Sequence, residues 1–442
     1  MSQTLPPPAI WIEIDDLIAH FSYSDQPTGI QRVLLELLAA ADHRALPHVR
    51  LCRLHARSGE FETLDVPLLR AIIARAKREA RVTHRLGRVH RQLGFLARDM
   101  LRLGRQSRLD RAGRADRAEA FAHAILPGDV VVSMGASWEN KRYGAVLAEQ
   151  KARFGFRFAQ LVHDIIPIRH GAISNPDFVQ AFTSWLHATS QSVDLYLMPS
   201  RHVAIELAHY AAAQGWPARP TAPIRFGTGF ASTDAPAAPL PPVSSEPFVL
   251  CVTTVDLRKN VGLLISVWER LVATYGAARV PLLLLAGHRG YRSGELFARL
   301  RASNFVGGRI RFVERPRDDA LKALYRETLF TVFPSHAEGW GLPVEEGLSY
   351  GKFGICSSAT SIPEVGGDLV DYFDPFDENG AYAAIEKAIL DPAYVAARAA
   401  RIRDTFRPVS WTATFDALVT TLEHQFALGL PQGHARPVSK AG

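Results

Sequence analysis

The sequence predicts an α/β fold of two doubly wound domains that face a central cleft. In both halves of the chain, short apolar runs typical of buried strands alternate with segments of helical periodicity. A chain of 442 residues is too long for one hydrophobic core and fits two domains of roughly 200 residues each. Between 226 and 247 the composition shifts to Gly, Ala, Pro, Ser and Thr, which is typical of a linker.

The cysteines and the lack of long apolar runs narrow the class of protein. Cys52, Cys251 and Cys356 are widely spaced in or beside apolar runs, which favours buried thiols in a reducing compartment over metal ligands. No apolar run approaches the roughly 20 residues of a membrane-spanning helix. Residues 1–8 are proline-rich and unlike a secretory segment. We therefore expect a cytoplasmic protein, with peripheral attachment to the inner face of the cytoplasmic membrane left open.

The net charge of +7 originates in one segment. Residues 71–118 hold 13 Arg and one Lys against four acidic residues, a net charge of +10. Apolar residues interleave with the arginines, which predicts a helical insertion that suits anionic lipid headgroups, at about 1 kcal/mol per basic residue. A solvated helical hairpin is the alternative. Nucleic-acid binding is disfavoured, because Phe95 is the only aromatic residue among the arginines and no recognition module is visible.

The first domain is predicted to span 1–228. Its predicted strands are 11–14, 49–54, 129–133, 157–162 and 194–198. Gly29 lies at the mouth of the first strand-to-helix crossover, where a glycine lets the backbone approach a ligand, although an ordinary turn has the same signature. His163 follows a strand at its carboxyl end, the edge at which open α/β sheets bind ligands. A histidine at that edge is equally compatible with a turn.

The second domain is predicted to span 248–408. Its predicted strands are 248–253, 281–287, 310–313 and 329–333. Asn260 is predicted to cap the helix after the first of these strands. Arg258 and Lys259 then lie at a helix N-terminus, where backbone amides and the helix dipole favour a pyrophosphate. An exposed basic pair before a helix is also common without any ligand.

The stretch 331–351 carries two acidic residues in a strand–loop–helix pattern. Pro343 suits the first position of a short helix and Gly351 its end, so Glu338 lies in a glycine-containing loop and Glu346 on the helix. These carboxylates can accept hydrogen bonds from sugar or ribose hydroxyls, while exposed amides face an anion. The combination suits a sugar attached to a phosphate. A glycine-rich turn with two solvated glutamates is the alternative.

The same region carries a longer ordered motif: Glu338-Gly339-Trp340-Gly341-Leu342-Pro343, Glu346-Gly347, Ser357-Ser358 and Ile362-Pro363-Glu364-Val365-Gly366-Gly367. This order resembles the nucleotide-sugar signature of glycosyltransferase family 4. Two further runs are similar to mannosyl- and rhamnosyl-type members of that family: His163-Asp164-Ile165-Ile166-Pro167 and Leu257-Arg258-Lys259-Asn260. The chain departs from the family at Thr253-Thr254, where many members have Gly-Arg. A second phosphate-binding cation is therefore in doubt unless Arg258 replaces it.

The resemblance implies the GT-B fold, two Rossmann-like domains facing a central cleft. The implied segments are an acceptor-side domain (1–228), a linker (229–247), a nucleotide-sugar-binding domain (248–408), a helix that crosses back to the first domain (409–428) and a disordered tail (429–442).

The resemblance also implies roles for individual residues. The implied catalytic residues are His163 facing the donor sugar, Glu338 holding that sugar and Lys259 neutralising the diphosphate. Glu346 would bind the ribose, and the turns at Gly287 and Arg315 would lie near the nucleotide base. The full implied substrate-binding set is Gly29, Arg258, Gly287, Arg315, Gly339, Trp340, Gly341, Leu342 and Glu346.

The implied function is retaining transfer of a hexose, with mannose from GDP-mannose favoured, onto a lipid-linked glycan acceptor in bacterial surface polysaccharide synthesis. We expect no cofactor and no metal, because the sequence contains no visible metal-ligand cluster. Two alternatives stay open: a rhamnosyl- or glucosyltransferase that uses another nucleotide sugar, and a non-catalytic, membrane-associated scaffold with the same fold.

Overall fold

The computed structural model describes residues 8–21, 24, 27–55, 58–71, 73–74, 113–229 and 246–426. Most of the predicted basic insertion and linker, and all of the predicted tail, lie outside these residues. The described part contains two sheets, each in its own domain. The predicted α/β fold with two doubly wound domains is confirmed.

The first sheet has seven strands in the order β3-β2-β1-β4-β5-β6-β7. These strands are β1 (Ile10–Glu13), β2 (Val49–Leu54), β3 (Phe61–Leu64), β4 (Val130–Ser133), β5 (Arg157–Leu161), β6 (Leu195–Met198) and β7 (Thr221–Pro223). Neighbouring strands are parallel except at the edge, where β3 runs antiparallel to β2.

The helices of the first domain cover both faces of this sheet, so its central strands are fully buried and largely apolar. They are α1 (Asp15–Phe21), α2 (Gly29–Arg44), α3 (Arg114–Ala124), α4 (Tyr143–Phe154), α5 (Ile166–Arg169), α6 (Pro176–Ser190) and α7 (Arg201–Ala213). The last residues of the predicted basic insertion form the start of α3. There Arg117 pairs with Glu62 of β3 at 3.0 Å, so this end of the segment packs against the edge strand.

The second sheet has six parallel strands in the order β10-β9-β8-β11-β12-β13. They are β8 (Phe248–Val252), β9 (Leu282–Gly287), β10 (Ile310–Glu314), β11 (Thr331–Phe333), β12 (Gly354–Ser357) and β13 (Asp371–Phe373). The main helices are α8 (Val261–Tyr275), α9 (Ser293–Ala302), α10 (Asp318–Glu327), α11 (Leu342–Ser349), α12 (Ile362–Gly366), α13 (Glu378–Leu390), α14 (Pro392–Thr405) and α15 (Trp411–Gln425), and a short segment with left-handed residues, Asn304–Gly308, follows α9.

The last helix, α15, packs against the first domain although it follows the second in sequence. Arg44 of α2 forms an ion pair with Asp416. Thr414 Oγ1 donates to the Arg225 carbonyl at 3.0 Å. A Cβ on Gly227 would lie 2.6 Å from the Trp411 ring, so the segment after β7 lies directly against α15. The helix therefore links the two domains mechanically.

Two further findings concern membrane-spanning helices and the cysteines. In the described part of the chain, no helix combines the length and the apolar character needed to cross a bilayer. Cys52, Cys251 and Cys356 are buried free thiols, and burial raises the pKa of each.

Candidate functional site

The candidate site lies where the strand order of the second sheet changes direction. The chain runs outward from β8 through β9 to β10 and then returns to the other side of β8 at β11. In open α/β sheets, ligands bind in the crevice that such a change leaves at the carboxyl ends of the strands. The loops 253–260 and 334–341 follow β8 and β11, so they meet at this crevice.

Arg258, Lys259 and Glu338 form a buried ion cluster in the crevice. The Lys259 ammonium lies 2.5 Å from Glu338 Oε1, and the Arg258 guanidinium lies 3.0 Å from Glu338 Oε2. Lys259 and Glu338 are only 9% and 8% exposed. Because little water reaches them, attraction between these charges is stronger than it would be on the surface. The structure thus brings three of the predicted site residues into direct contact.

The two cations keep Glu338 ionised. Burial alone would raise the pKa of Glu338, but the charges of Arg258 and Lys259 lower that pKa to about 2. Burial and the neighbouring Arg258 charge lower the pKa of Lys259, against the attraction of Glu338. An ammonium has three N–H donors and a guanidinium five, so the pair has more donors than one carboxylate can accept. This surplus suits an additional anion such as a diphosphate.

Hydroxyl groups hold the loop that carries Glu338. The Glu338 N–H donates to Thr360 Oγ1 at 2.9 Å, and the Glu338 carbonyl accepts from Ser361 Oγ at 2.7 Å. The His336 N–H donates to the Arg258 carbonyl at 2.9 Å, which ties this loop to the loop of the cations. The positions of the three charged groups therefore depend on one another.

Glu346 lies on α11, outside the ion cluster. It is buried, and Tyr325 Oη donates to Glu346 Oε2 at 2.7 Å. Burial raises the pKa of Glu346, whereas the Arg32 charge from the first domain acts to lower it. Glu346 therefore belongs to a second group, in which Tyr325 orients the carboxylate and Arg32 approaches from the other domain.

His163 belongs to the first domain and faces the Glu338 loop. Its Nε2–H donates to the Met134 carbonyl at 2.8 Å, a partner that assigns Nδ1 as the acceptor nitrogen. Burial lowers the pKa of His163 to about 4, so the imidazole is neutral at pH 7. A Cβ on Gly339 would lie 2.0 Å from the His163 carbonyl oxygen. Only a glycine fits where the two domains touch at this point.

The remaining residues of the predicted turn shape its exit into α11. Gly341 has a φ of +111°, in the range that favours glycine. Trp340 is buried, and its Nε1–H donates to Glu345 Oε2 at 2.7 Å. Leu342 is the first residue of α11. These three residues set the course of the backbone into the helix.

Three predicted binding residues are not members of the ion cluster. Gly29 begins α2, is exposed and has open space around its Cβ position. Gly287 ends β9 and Arg315 follows β10, and the Arg315 N–H donates to the Gly287 carbonyl at 2.6 Å. The turns after β9 and β10 therefore meet at the carboxyl edge of the sheet, as the order of the strands requires.

The capping role predicted for Asn260 is wrong. Asn260 does precede α8, but it has a left-handed backbone with φ +53° and its side chain makes no capping hydrogen bond. Its Nδ2–H donates instead to the Pro375 carbonyl at 2.9 Å. The turn before the helix is held by Asp256, whose Oδ1 accepts from the Lys259 N–H at 2.9 Å. A tertiary partner has displaced the local cap.

Sequence reasoning missed a contact between the domains at the start of α7. The Glu364 carboxylate accepts from the Arg201 N–H at 2.9 Å and the His202 N–H at 2.8 Å. Ser200 Oγ also donates to the Gly339 carbonyl across the cleft at 2.9 Å. Ser200 after a strand is a helix-start signal, and Glu364 is part of the longer motif. No local sequence rule predicts that these two distant segments contact each other.

Sequence reasoning also missed two acids at the carboxyl end of β1, beside the direction change of the first sheet. Burial, with Asp15 nearby, raises the pKa of Glu13 to about 7. Burial raises the pKa of Asp16 to about 6, even though Gln31 Nε2 donates to both its carboxylate oxygens at 3.0 and 2.9 Å. Acids that end a first buried strand were the available signal.

No group of three or more His, Cys, Asp or Glu in the described residues has the arrangement needed for a metal ion. The charged contacts at the site come from the protein's own Arg, Lys and Glu side chains.

Comparison with known proteins connects the second domain with a family of sugar transferases. Residues 235–405 match the family model described as glycosyl transferases group 1. O-antigen chain mannosyltransferase B of Escherichia coli is 32% identical over 164 residues, 37% of this chain and 42% of that protein. The serotype-specific mannosyltransferase WbdA of Escherichia coli is 28% identical over 263 residues, 57% of this chain and 31% of that protein. The chain thus spans less than half the length of these relatives.

Solved structures share the two-domain architecture over 67–96% of this chain. Sucrose-phosphate synthase from Thermosynechococcus elongatus superposes with a TM-score of 0.59 and 18% identity, over 96% of this chain and 100% of that chain. Trehalose-6-phosphate synthase OtsA superposes with a TM-score of 0.52 and 13% identity, over 67% of this chain and 72% of that chain. At these identities the likeness concerns the fold alone. The protein has the GT-B fold, and its second domain matches the glycosyl transferases group 1 model.

Proposed function

We propose that the protein is a retaining, metal-independent hexosyltransferase of the family 4 type, with no cofactor, that uses a nucleoside diphosphate sugar. The observation that carries this proposal is the contact of Arg258 and Lys259 with Glu338 at the crevice of the second domain. Two cations and one ionised acid lie where a diphosphate and its attached sugar would meet. The family match at 235–405 supports the same reaction class.

The proposed chemistry separates charge, and the ion cluster suits that separation. As the bond between the anomeric carbon and the diphosphate oxygen breaks, positive charge develops on the sugar and negative charge on the leaving group. Arg258 and Lys259 would stabilise the leaving group. The acceptor oxygen bonds to the anomeric carbon on the same face, and its proton passes to the departing diphosphate oxygen. Configuration is retained, and no protein base is needed.

The acidic and imidazole groups are assigned to substrate hydroxyls. Glu338 would hold the donor sugar, and Glu346 the ribose. His163 is neutral with Nδ1 as the acceptor nitrogen, so it would accept a hydrogen bond from a sugar hydroxyl. Gly287 and Arg315 would lie near the base.

GDP-mannose is the favoured donor, and the acceptor is proposed to be a lipid-linked glycan of a bacterial surface polysaccharide. The Escherichia coli relatives are mannosyltransferases, which supports mannose as the sugar. The basic segment 71–118 would rest on an anionic membrane at the inner face of the cytoplasmic membrane. A rhamnosyl- or glucosyltransferase is the alternative donor class, and a non-catalytic scaffold is the alternative role.

A thermal-shift screen of nucleoside diphosphates tests the donor site. A ligand that binds the folded state raises its stability by mass action, so GDP should raise the melting temperature and UDP should not. Stabilisation by UDP alone would move the assignment to the alternative donor class. Stabilisation by no diphosphate would contradict the transferase proposal.

Glu338→Gln separates the enzyme from a scaffold. The variant keeps the side chain's shape but removes the charge that Arg258 and Lys259 contact, so we expect turnover to fall about 100-fold or more. Circular dichroism checks folding, because one charge fewer in a buried cluster also destabilises it. The matched control is Glu149→Gln on the exposed face of α4. A parent protein without turnover, whose role in surface polysaccharide synthesis survives Glu338→Gln, would favour the scaffold.

A further inference from the structure

Phe376 is the most exposed large apolar side chain of the described residues. Its exposed fraction is 82%, whereas the next, Ile205, is 57% exposed. Leaving an aromatic ring in water forgoes the free energy of burying it. One exposed ring alone is ordinary on a protein surface, so the case for a ligand contact depends on how the ring is held and on where it lies.

The ring is presented by a rigid turn. The Phe376 N–H donates to Asp374 Oδ1 at 2.9 Å, and the Asp377 N–H donates to the Asp374 carbonyl at 2.9 Å. Asn260 Nδ2 holds the preceding Pro375 carbonyl, the contact that replaced its predicted capping role. The turn is thus anchored to the loop of the cations, and the ring's position is tied to the candidate site.

One face of the ring is already occupied by a histidine of the Glu338 loop. The Phe376 and His336 rings stack with centroids 4.8 Å apart and an interplanar angle of 25°. Burial lowers the pKa of His336, and His170, which follows α5 of the first domain, is close enough to lower that pKa further. The pair therefore lies at the rim of the cleft, where the two domains approach each other.

Strand order places this rim opposite the nucleotide end of the site. β9 and β10, whose turns are assigned to the base, lie on one side of β8, and β13 lies at the other edge of the sheet. Phe376 follows β13 by three residues. A ligand bound along the carboxyl edge from β10 toward β13 would reach Phe376 only at its end away from the base.

We propose that Phe376, backed by His336, is a stacking platform for the acceptor glycan. The inference rests on the proposed function. The C–H groups on one face of a pyranose ring carry slight positive charge, and the face of an aromatic ring is negative. Exposed carboxylates of Asp377 and Glu378 flank the ring and can accept hydrogen bonds from sugar hydroxyls. The same negative charges oppose docking on an anionic membrane, so a neutral glycan is the occupant that fits.

Direct binding of soluble mannose oligosaccharides tests the platform without turnover. The probe is mannotetraose, titrated by NMR or calorimetry into the full chain and into Phe376→Ala and Phe376→Trp. We expect Phe376→Ala to weaken binding roughly 3- to 10-fold, the range of an aromatic contact, and Phe376→Trp to restore it. The control is Leu390→Ala, which truncates another exposed apolar side chain, 50% exposed, at the end of α13.

The outcomes separate this inference from the donor site. Stabilisation by GDP should be the same in Phe376→Ala and the parent protein. A parent protein that GDP stabilises but that does not bind mannotetraose would overturn the platform alone. Equal mannotetraose affinity in Phe376→Ala, or equal loss in Leu390→Ala, would also overturn it. Glycan binding that Phe376→Ala weakens, without any response to a diphosphate, would instead contradict the proposed function; Phe376 would then be a glycan contact but not an acceptor platform.

Discussion

At the scale of single residues, environment decides what a glutamate does. Glu338 and Glu13 are both buried at the carboxyl end of a strand, yet their pKa values move in opposite directions. Glu338 touches two cations, whereas the groups that donate to Glu13 are neutral: Ser133 Oγ at 3.0 Å, the Asp15 N–H at 2.9 Å and Tyr143 Oη at 3.5 Å. A buried carboxyl without a cation prefers its proton.

Glu13→Gln should remove a pH dependence of stability. Because the folded pKa of Glu13 is about 7 against an ordinary value of 4.5, the folded state keeps a proton that the unfolded state releases between these values. Its contribution is therefore complete below pH 4.5 and lost as pH rises through 7. The amide of the variant does not titrate, so relative to the variant the parent's free energy of unfolding should fall by up to ~3 kcal/mol between about pH 4.5 and pH 8.

Urea unfolding of both proteins at several pH values measures this difference. Glu149→Gln on the exposed face of α4 is the control, and it should run parallel to the parent protein. A constant difference between parent and Glu13→Gln across the pH range would show that Glu13 is ionised in the folded state.

At the scale of elements, two glycines of the second domain differ in whether the structure has room for a side chain: there is no room at Gly287, and there is room at Gly262. A Cβ on Gly287, at the end of β9, would lie 1.9 Å from the Thr253 carbonyl oxygen. Both partners are backbone, so neither can move without displacing the turns after β8 and β9. Gly262 inside α8 is different, because a Cβ there would meet only Leu296 Cδ2, at an ordinary 3.5 Å.

Gly287→Ala and Gly262→Ala should therefore have opposite effects on stability. The first forces the two turns apart and should cost about 3 kcal/mol or more of unfolding free energy. The second lowers the conformational entropy of the unfolded chain at a first-turn position of α8 with room for a methyl group, and should add about 0.4–1 kcal/mol. Chemical denaturation at neutral pH measures both. A neutral Gly287→Ala would mean that the turns separate easily.

At the scale of the whole molecule, the two domains are held together by contacts around the cleft. Glu364 receives two backbone N–H groups at the start of α7, a position where the helix dipole also favours negative charge. The Arg225 guanidinium lies 3.0 Å from the Glu345 carboxylate, and Arg32 lies 2.9 Å from Asp318. These contacts link opposite walls, so they favour the closed arrangement in which His163 faces the Glu338 loop.

Glu364→Ala should open the cleft. It removes both acceptors of the two N–H groups, so we expect a larger radius of gyration by small-angle scattering and a higher KM for the donor. Arg201→Ala is the matched control, since it deletes a side chain that is 84% exposed but keeps the backbone N–H. Exposed ion pairs contribute little, so this control should resemble the parent. Equal opening in both variants would mean that the Arg201–Glu364 ion pair, and not the two backbone hydrogen bonds, keeps the cleft closed.

The sequence by itself determined most of the strands, the main helices and the order of the site loops. It did not predict the short strands β3, β7, β12 and β13. Runs such as 281–287 predicted β9 within one residue, because an apolar run covered on both faces is a local property of the chain. The positions of Glu338 in a loop and Glu346 on a helix also followed from nearby proline and glycine residues.

Only the tertiary structure decided which of these groups touch. Lys259 and Glu338 are 79 residues apart, and no local pattern states that their charges meet. Asn260 left its predicted cap for the Pro375 carbonyl, and Gly339 is needed because of a backbone from the other domain. The reason is physical: propensity acts between near neighbours, whereas the energy of a buried charge or a close backbone contact depends on whatever folding places beside it.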